Sequence, residues 1–474
     1  MFFVGRKQQL DSLQRLRKKR SASLVVIRGR RRIGKSRLAE EFAASFPRAF
    51  FFTGLPPNQQ VTAEVQRQEF IRQMREQGLA IEKEQDWGDL FWELSCHCQT
   101  GPLLVVLDEI SWMGSEDPTF LGKLKTAWDR HFKKNPQLVL LLSGSNSWWI
   151  QKNILSSTGF FGRVSLRINL GELSLPSCNA FWGKRAGQIS AYDKFKILAV
   201  TGGIPRYLEE IDPALSAEEN IYRLCFAPDG LLVEEFDEAF SDLFSHDSRY
   251  YEAIVRILLH QSLTVKEIME QLNRSKGGDL SHYLEELHLF GFLSRDYSWH
   301  LKEGKPTATS RFRLSDNYVR FYLKYIEPVK QQILRGDYQH LPAAWSSILG
   351  LQFENLVIAN RHSLYAALRI PLEELVIANP YFQTATKRRQ GCQIDFLIQT
   401  RYNQLYVCEI KFSKREIEGE VVQEVQQKID RLEIPRGFSI RPVLIHVNGV
   451  AESVEEADYF AHIVDFSQLL EGAP

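Results

Sequence analysis

The chain has 474 residues, 44% hydrophobic and 25% charged, which is the make-up of an ordinary folded protein and excludes a disordered one. At roughly 150 residues per domain, that length suggests about three domains. Fifty-nine Lys and Arg against 58 Asp and Glu leave a net charge of +1, so a surface for nucleic acid has to be local.

Met1-Phe2-Phe3-Val4 runs straight into Gly5-Arg6-Lys7 without the apolar stretch of a secretory signal. No run approaches the 18 or so apolar residues that span a bilayer, so a soluble, cytoplasmic protein without a membrane partner is expected. The six cysteines are scattered, which fits reduced thiols.

Ser23 to Arg28 is a short β-rich apolar run, read as a buried parallel strand. It leads into Gly29-Arg30-Arg31-Arg32-Ile33-Gly34-Lys35-Ser36, which fits GxxxxGK[ST], and a helical pattern follows through Leu38, Ala39, Phe42 and Ala43. Loop glycines let backbone N–H groups turn inward around phosphate oxygens, and the helix N-terminus adds its dipole. Lys35 is expected to reach the β- and γ-phosphates and Ser36 to ligate Mg²⁺. Cys96-His97-Cys98 lacks the second Cys/His pair that a zinc site needs, so a structural role is expected.

Leu103 to Leu107 places Asp108 at the carboxyl end of a second buried strand. Asp108 would complete the Mg²⁺ shell, and Glu109 would orient or deprotonate the attacking water. A third strand, Leu138 to Leu142, ends in Ser143-Gly144-Ser145-Asn146, either a contact to the γ-phosphate or water, or a plain polar turn. Gly203-Ile204-Pro205 lies between two helical segments, 192–201 and 205–210.

Residues 1 to about 210 resemble the AAA+-like archaeal and bacterial ATPases related to STAND NTPases. The resemblance rests on Phe3-Val4-Gly5-Arg6, Gly29–Ser36, Leu107-Asp108-Glu109 and Gly202-Gly203-Ile204-Pro205-Arg206-Tyr207. It implies ATP and Mg²⁺ as cofactors, with nucleotide contacts from Gly5, Arg6, the loop Gly29 to Ser36, Arg37 and Ser145. It also implies that Gly203 and Pro205 lie near the adenine, although a plain helix–helix turn is the alternative. Arg163 occupies the place of a family arginine that faces a neighbour's nucleotide or its own.

Tyr250 to His260 is helical in pattern, Thr264-Val265-Lys266-Glu267 is a capping box, and Leu280, Tyr283, Leu284 and Leu287 mark a third helix. Phe292 to Trp299 and Ser310 to Leu314 read as two strands, which completes a winged helix-turn-helix. Arg274 and Lys276 near the third helix are offset by Asp279, Glu285 and Glu286, so a packing or relay role is favoured over major-groove reading. Lys302, Lys305, Arg311 and Arg313 leave the wing open to weak DNA contact.

Gly391 to Ile398 and Leu405 to Phe412 read as paired strands around a polar turn, Arg401 to Gln404. Residues i and i+2 share a strand face, so Glu409 and Lys411 point together and Asp395 can meet them. Two carboxylates and a lysine on one surface suit metal-assisted phosphodiester hydrolysis. Asp395 and Glu409 would hold Mg²⁺ with the Ile410 carbonyl, Glu354 would add to the shell, and Lys411 would position water or neutralise developing charge.

This constellation resembles the PD-(D/E)XK nucleases. Nearly the full chain resembles the ATPase family with a C-terminal DUF234 domain, with Ile394 standing where many members have Pro. The expected fold class is α/β: a P-loop NTPase parallel sheet with a helical lid, then a winged helix-turn-helix and a restriction-endonuclease-like α/β domain. The expected divisions are 1–170, 171–240, 241–325 and 345–474. The expected function is an ATPase that controls a Mg²⁺-dependent nuclease acting on DNA, with self-association open. The alternative is a STAND-like nucleotide switch that binds a partner or DNA, with a silent C-terminal scaffold. A metabolic kinase finds no small-substrate motif in the extra domains.

Overall fold

The computed structural model describes residues 3–57, 60–82, 86–243, 248–273, 278–387 and 390–471. The chain divides into two compact units. One is built on Met1–Glu172 with Glu238–His246 and Leu289–Gly291, and the other on Leu173–Asp237, Asp247–His288 and Phe292–Pro474. Among the described residues, no helix is long and apolar enough to cross a membrane.

The first unit carries strands β1 (Ser23–Arg28), β2 (Arg48–Thr53), β3 (Leu103–Asp108), β4 (Leu138–Gly144) and β5 (Val164–Asn169). All pair in parallel, in the spatial order β2-β3-β4-β1-β5. Every residue of β3 and β4 is buried, as expected of parallel strands covered on both faces. An aromatic cluster of Phe52, Phe70, Trp87, Phe91 and Phe120 packs against this sheet, with ring centroids 4.4 to 6.1 Å apart. Burying each such side chain contributes about 1.5–3 kcal/mol. Cys98 lies in the same core, Cys96 is exposed, and His97 closes the helix Trp87–Cys96. The tripeptide is therefore a helix end, not a donor set.

The second unit carries β6 (Leu263–Thr264), β7 (Leu293–His300), β8 (Lys305–Leu314), β9 (Leu375–Gln383), β10 (Cys392–Thr400), β11 (Gln404–Ile410), β12 (Ser439–His446) and β13 (His462–Asp465). Helices Ser248–Ile257, Val265–Gln271 and Gly278–Leu289 precede an antiparallel sheet in the order β6-β8-β7. That is the layout predicted for the winged helix-turn-helix, with the Thr264/Glu267 capping box formed and Leu280, Leu284 and Leu287 fully buried. Arg274 and Lys276 lie outside the described residues.

The last sheet is mixed, in the order β13-β12-β11-β10-β9. β9, β10 and β11 run antiparallel, whereas β11, β12 and β13 run parallel. Residues alternate between its faces. Phe396, Ile398, Cys408 and Ile410 join Phe353 and Val357 of helix Leu349–Ala359 in one core. Leu397, Leu405 and Val407 join Val421, Val425 and Ile429 of helix Glu420–Arg431 in another. β7 also meets β9, where Ser298 Oγ donates to the Phe382 carbonyl at 2.8 Å and Trp299 Nε1 donates to Gln399 Oε1 at 2.6 Å. The wing is thus anchored to the mixed sheet.

Candidate nucleotide and phosphodiester sites

The phosphate loop leaves β1 at Arg28 and enters the helix Lys35–Ala43. A Cβ on Gly29 would lie 2.4 Å from the Leu170 carbonyl oxygen, so only glycine fits there. Gly34 takes φ 90 as the N-cap, in the left-handed region. Arg6 braces the loop from outside: Nη2 donates to the Ile33 carbonyl at 3.0 Å and Nη1 to the Glu172 carbonyl at 3.3 Å. Gly5 supplies the left-handed turn, φ 68, that leads into it. Arg30 and Ile33 are buried in the loop and Arg31 is half-buried. Arg32 reaches Glu238 at 2.5 Å, and Arg37 runs along its own helix to Glu40 at 2.9 Å.

Lys35 is 5% exposed, and its Nζ donates to the carbonyls of Gly29 and Arg30, both at 3.1 Å. It stands 3.9 Å from Glu109 Oε1. Burial pushes the ammonium below its ordinary pKa, against the pull of Glu109 and Asp108. Held only by two main-chain oxygens and a distant acid, it can exchange these for phosphate oxygens.

β3 delivers Asp108 to the carboxyl edge of the sheet. Ser36 Oγ donates to its Oδ2 at 2.5 Å, and Ser143 Oγ donates to its Oδ1 at 2.6 Å. Glu109 takes a left-handed φ of 49 at the start of the short helix Ile110–Met113. Its Oε2 accepts from the Ser145 N–H and from Ser145 Oγ, both at 2.8 Å. β4 lies between β1 and β3, so its polar tip holds both acids. Ser145 is therefore a partner of Glu109 rather than a plain turn residue. A serine hydroxyl and a carboxylate this close, at a helix N-terminus beside loop amides, form a donor set that fits a magnesium–triphosphate.

The other expected nucleotide contacts divide. β5 begins beside Leu24, near the start of β1, so Arg163 sits at the amino edge of the sheet while the loop leaves the carboxyl edge. Arg163 Nε and Nη2 also donate to the two Asp129 carboxylate oxygens at 3.0 and 2.9 Å. This corrects the own-chain alternative for Arg163: it is not brought to its own phosphate loop. Gly203 and Pro205 belong to the second unit. The Gly203 carbonyl accepts from Leu173 at 2.8 Å and Pro205 opens the helix Pro205–Leu208, the helix-to-helix turn that the sequence also allowed.

In the mixed sheet, Phe396 pairs with Cys408, which sets Asp395 and Glu409 just past the last ladder pair. Asp395 Oδ2 accepts from the Ile410 N–H at 3.0 Å. Burial, then the Glu409 charge, pushes the Asp395 carboxyl above its usual range. Glu354, on helix Leu349–Ala359, is pushed up to about 7 by burial and then by Asp395. The acids predicted from sequence therefore meet, and they need cations.

Two lysines answer. Lys411 Nζ lies 3.1 Å from Glu409 Oε1 and 2.6 Å from Glu424 Oε2. Lys428, on helix Glu420–Arg431, reaches Glu409 Oε2 at 2.5 Å and Asp395 Oδ1 at 3.4 Å. Burial pulls both ammonium groups down, but the carboxylates outweigh it and the net shift is upward. Among the described residues, no three His, Cys, Asp or Glu side chains are grouped to hold a metal ion. The donors thus have the chemistry of a magnesium site, with Lys428 between two of them. Sequence reading missed Lys428. Its signal was its position beside the Val421, Val425 and Ile429 stripe, which turns it toward the sheet.

A scan against models of known protein families finds no match. The sequence is 24% identical over 364 residues to an uncharacterized protein of Methanocaldococcus jannaschii, covering 75% of this chain and 76% of that one. The structure is similar to a Walker-type ATPase of Pyrococcus abyssi, with a TM-score of 0.50 and 15% identity, over 68% of this chain and 96% of that one. The fold is that of a Walker-type ATPase. The ORC2 protein of Aeropyrum pernix is also similar, with a TM-score of 0.42 and 16% identity, over 70% of this chain and 94% of that one. In this Walker-type fold, the parallel sheet of the first unit carries the phosphate loop and the acidic strand tip, and the mixed sheet lies in the C-terminal region.

Proposed function

We propose that this chain binds and hydrolyses ATP, and that nucleotide state governs a nuclease-like C-terminal region acting on DNA. The observation that carries the ATPase reading is the 2.5 Å contact between Ser36 Oγ and Asp108 Oδ2 across the mouth of the phosphate loop. Main-chain amides from Arg30 to Ser36 cradle the phosphates, and Lys35 moves onto the β- and γ-oxygens. Ser36 and Asp108 hold magnesium, which neutralises phosphate charge when bound. Glu109, aimed by Ser145, orients the attacking water. Lys35→Ala should abolish ATP turnover, and Glu109→Gln should keep nucleotide affinity while slowing hydrolysis by roughly 100-fold or more. Undiminished turnover in Lys35→Ala sinks the proposal.

In the C-terminal region, Asp395 and Glu409 would hold Mg²⁺, Glu354 would add to the shell, and Lys411 would offset charge on the phosphate. DNA incubated with Mg²⁺ or Mn²⁺ and ATP tests this. Absence of cleavage in every condition, with Glu409→Ala indistinguishable from the parent, refutes the nuclease.

Lys428 favours a second reading, a nucleotide switch with a silent scaffold, because its ammonium already serves as the cation between Asp395 and Glu409. Calorimetric titration of Mg²⁺ into full-length Lys35→Ala, where the nucleotide site is impaired, separates the two. Heat that disappears on Asp395→Asn supports the nuclease, and no heat supports the switch. DNA as partner and self-association through Arg163 belong to the same proposal.

A further inference from the structure

We infer that a cavity beside Asp395 receives the phosphorylated end of a single nucleic-acid strand, with Arg320 as the anion-binding group. This rests on the reading of the C-terminal region as a site for nucleic acid. The cavity has a volume of about 320 Å³, and Arg320, Arg313, Arg311, Glu354 and Asp395 all line it. Three arginines face two carboxylates, so the walls favour an anion.

Arg320 makes the cavity a built site. It is 1% exposed, and its Nη2 donates to the Leu314 carbonyl. Nε and Nη1 have no hydrogen-bond partner. Glu354 is a charged neighbour, but it forms no hydrogen bond to either nitrogen. Two unspent donors on one planar guanidinium match two oxygens of a phosphate. Arg313 is already committed to Asp296 at 3.0 Å, which leaves Arg320 as the open fork.

Size and surroundings select the ligand. A cavity at the small end of ligand pockets admits a single nucleotide and not a duplex. It shares Arg311 and Phe382 with a second recess of about 510 Å³, which adds Lys428 and Arg431. The Arg311 guanidinium lies 5.3 Å from the Phe382 ring centroid. A cation–aromatic pair of this kind offers a base a surface to stack on. The end phosphate sits against Arg320, and the next nucleotide crosses Arg311 and Phe382 toward Lys428.

The test is fluorescence anisotropy on the full chain in EDTA, with the Glu409→Ala change present so that no strand is cut. The probes are labelled oligothymidylates with a 5′-phosphate, a 3′-phosphate or hydroxyl ends. One phosphorylated probe should bind at least tenfold tighter than the hydroxyl probe, and Arg320→Gln should erase that preference. Should Arg320→Gln fail to fold, Leu351→Trp, which fills the cavity without touching its charges, should erase it as well. Equal affinity for all probes, or a preference that survives in the folded variants, overturns the inference. Thymidine monophosphate competing as well as the strand also overturns it, in favour of a free nucleotide. Because no cleavage is read, these outcomes stand apart from failure of the nuclease.

Discussion

The phosphate loop tolerates almost no change at Gly29, because the Leu170 carbonyl occupies the place of a side chain. Gly29→Ala should therefore cost about 1–3 kcal/mol of stability, the usual range for forcing atoms into a packed site. Urea unfolding checks the loss, and ATP turnover should fall with it because the loop amides move. This part of the site was legible in the sequence: backbone amides, lysine and serine must arrive at fixed spacing, so chemistry writes itself into the order of residues. Lys428 and Arg320 were not legible. A lysine on an amphipathic helix is ordinarily solvated, and an arginine in Asn317–Phe321 is one polar letter among apolar ones. Only the folded neighbours give either of them a task.

Helix Glu420–Arg431 lies over β10 and β11 and brings Lys428 to two acids. Removing that ammonium leaves Asp395 and Glu409 with one charge partner fewer. Lys428→Met in EDTA should lose about 1–3 kcal/mol, the worth of hydrogen bonds to charged groups. Millimolar Mg²⁺ should restore more of the melting temperature in this variant than in the parent, if the ion takes the vacated place. At the end of β12, His446 is buried and its Nδ1 accepts the Gly449 N–H at 3.0 Å. Burial holds this imidazole below its ordinary pKa, with Asp465 opposing. Between the folded value and the unfolded one near 6.5, the unfolded chain binds more protons. Stability should therefore rise with pH through that window and fall on acidification. His446→Asn, which keeps an acceptor but does not titrate, should flatten the dependence in thermal melts at pH 5 to 7. The β10–β11 hairpin was readable because charged residues interrupt apolar alternation there. β12 and β13 were not, since Pro442 to His446 is an apolar run with no chemistry to mark it.

For the molecule as a whole, two compact units predict two separable unfolding events. A ligand that binds only the folded state stabilises by about 2.7 kcal/mol at a hundred times its dissociation constant. Mg²⁺ with ADP should raise one calorimetric transition and leave the other in place, and Lys35→Ala should cancel the rise. The chain order of the C-terminal site carries a further consequence. β10 and β11 are joined across Arg401 to Asn403 and pair locally, but Lys428 and the parallel strand β12 come only with the crossover that follows Ile410. Local pairings form sooner than distant ones. On the ribosome, the two acids are thus brought face to face before Lys428 has been synthesised. Translation that stops short of that helix releases a strained hairpin for the degradation machinery to clear, not a working blade.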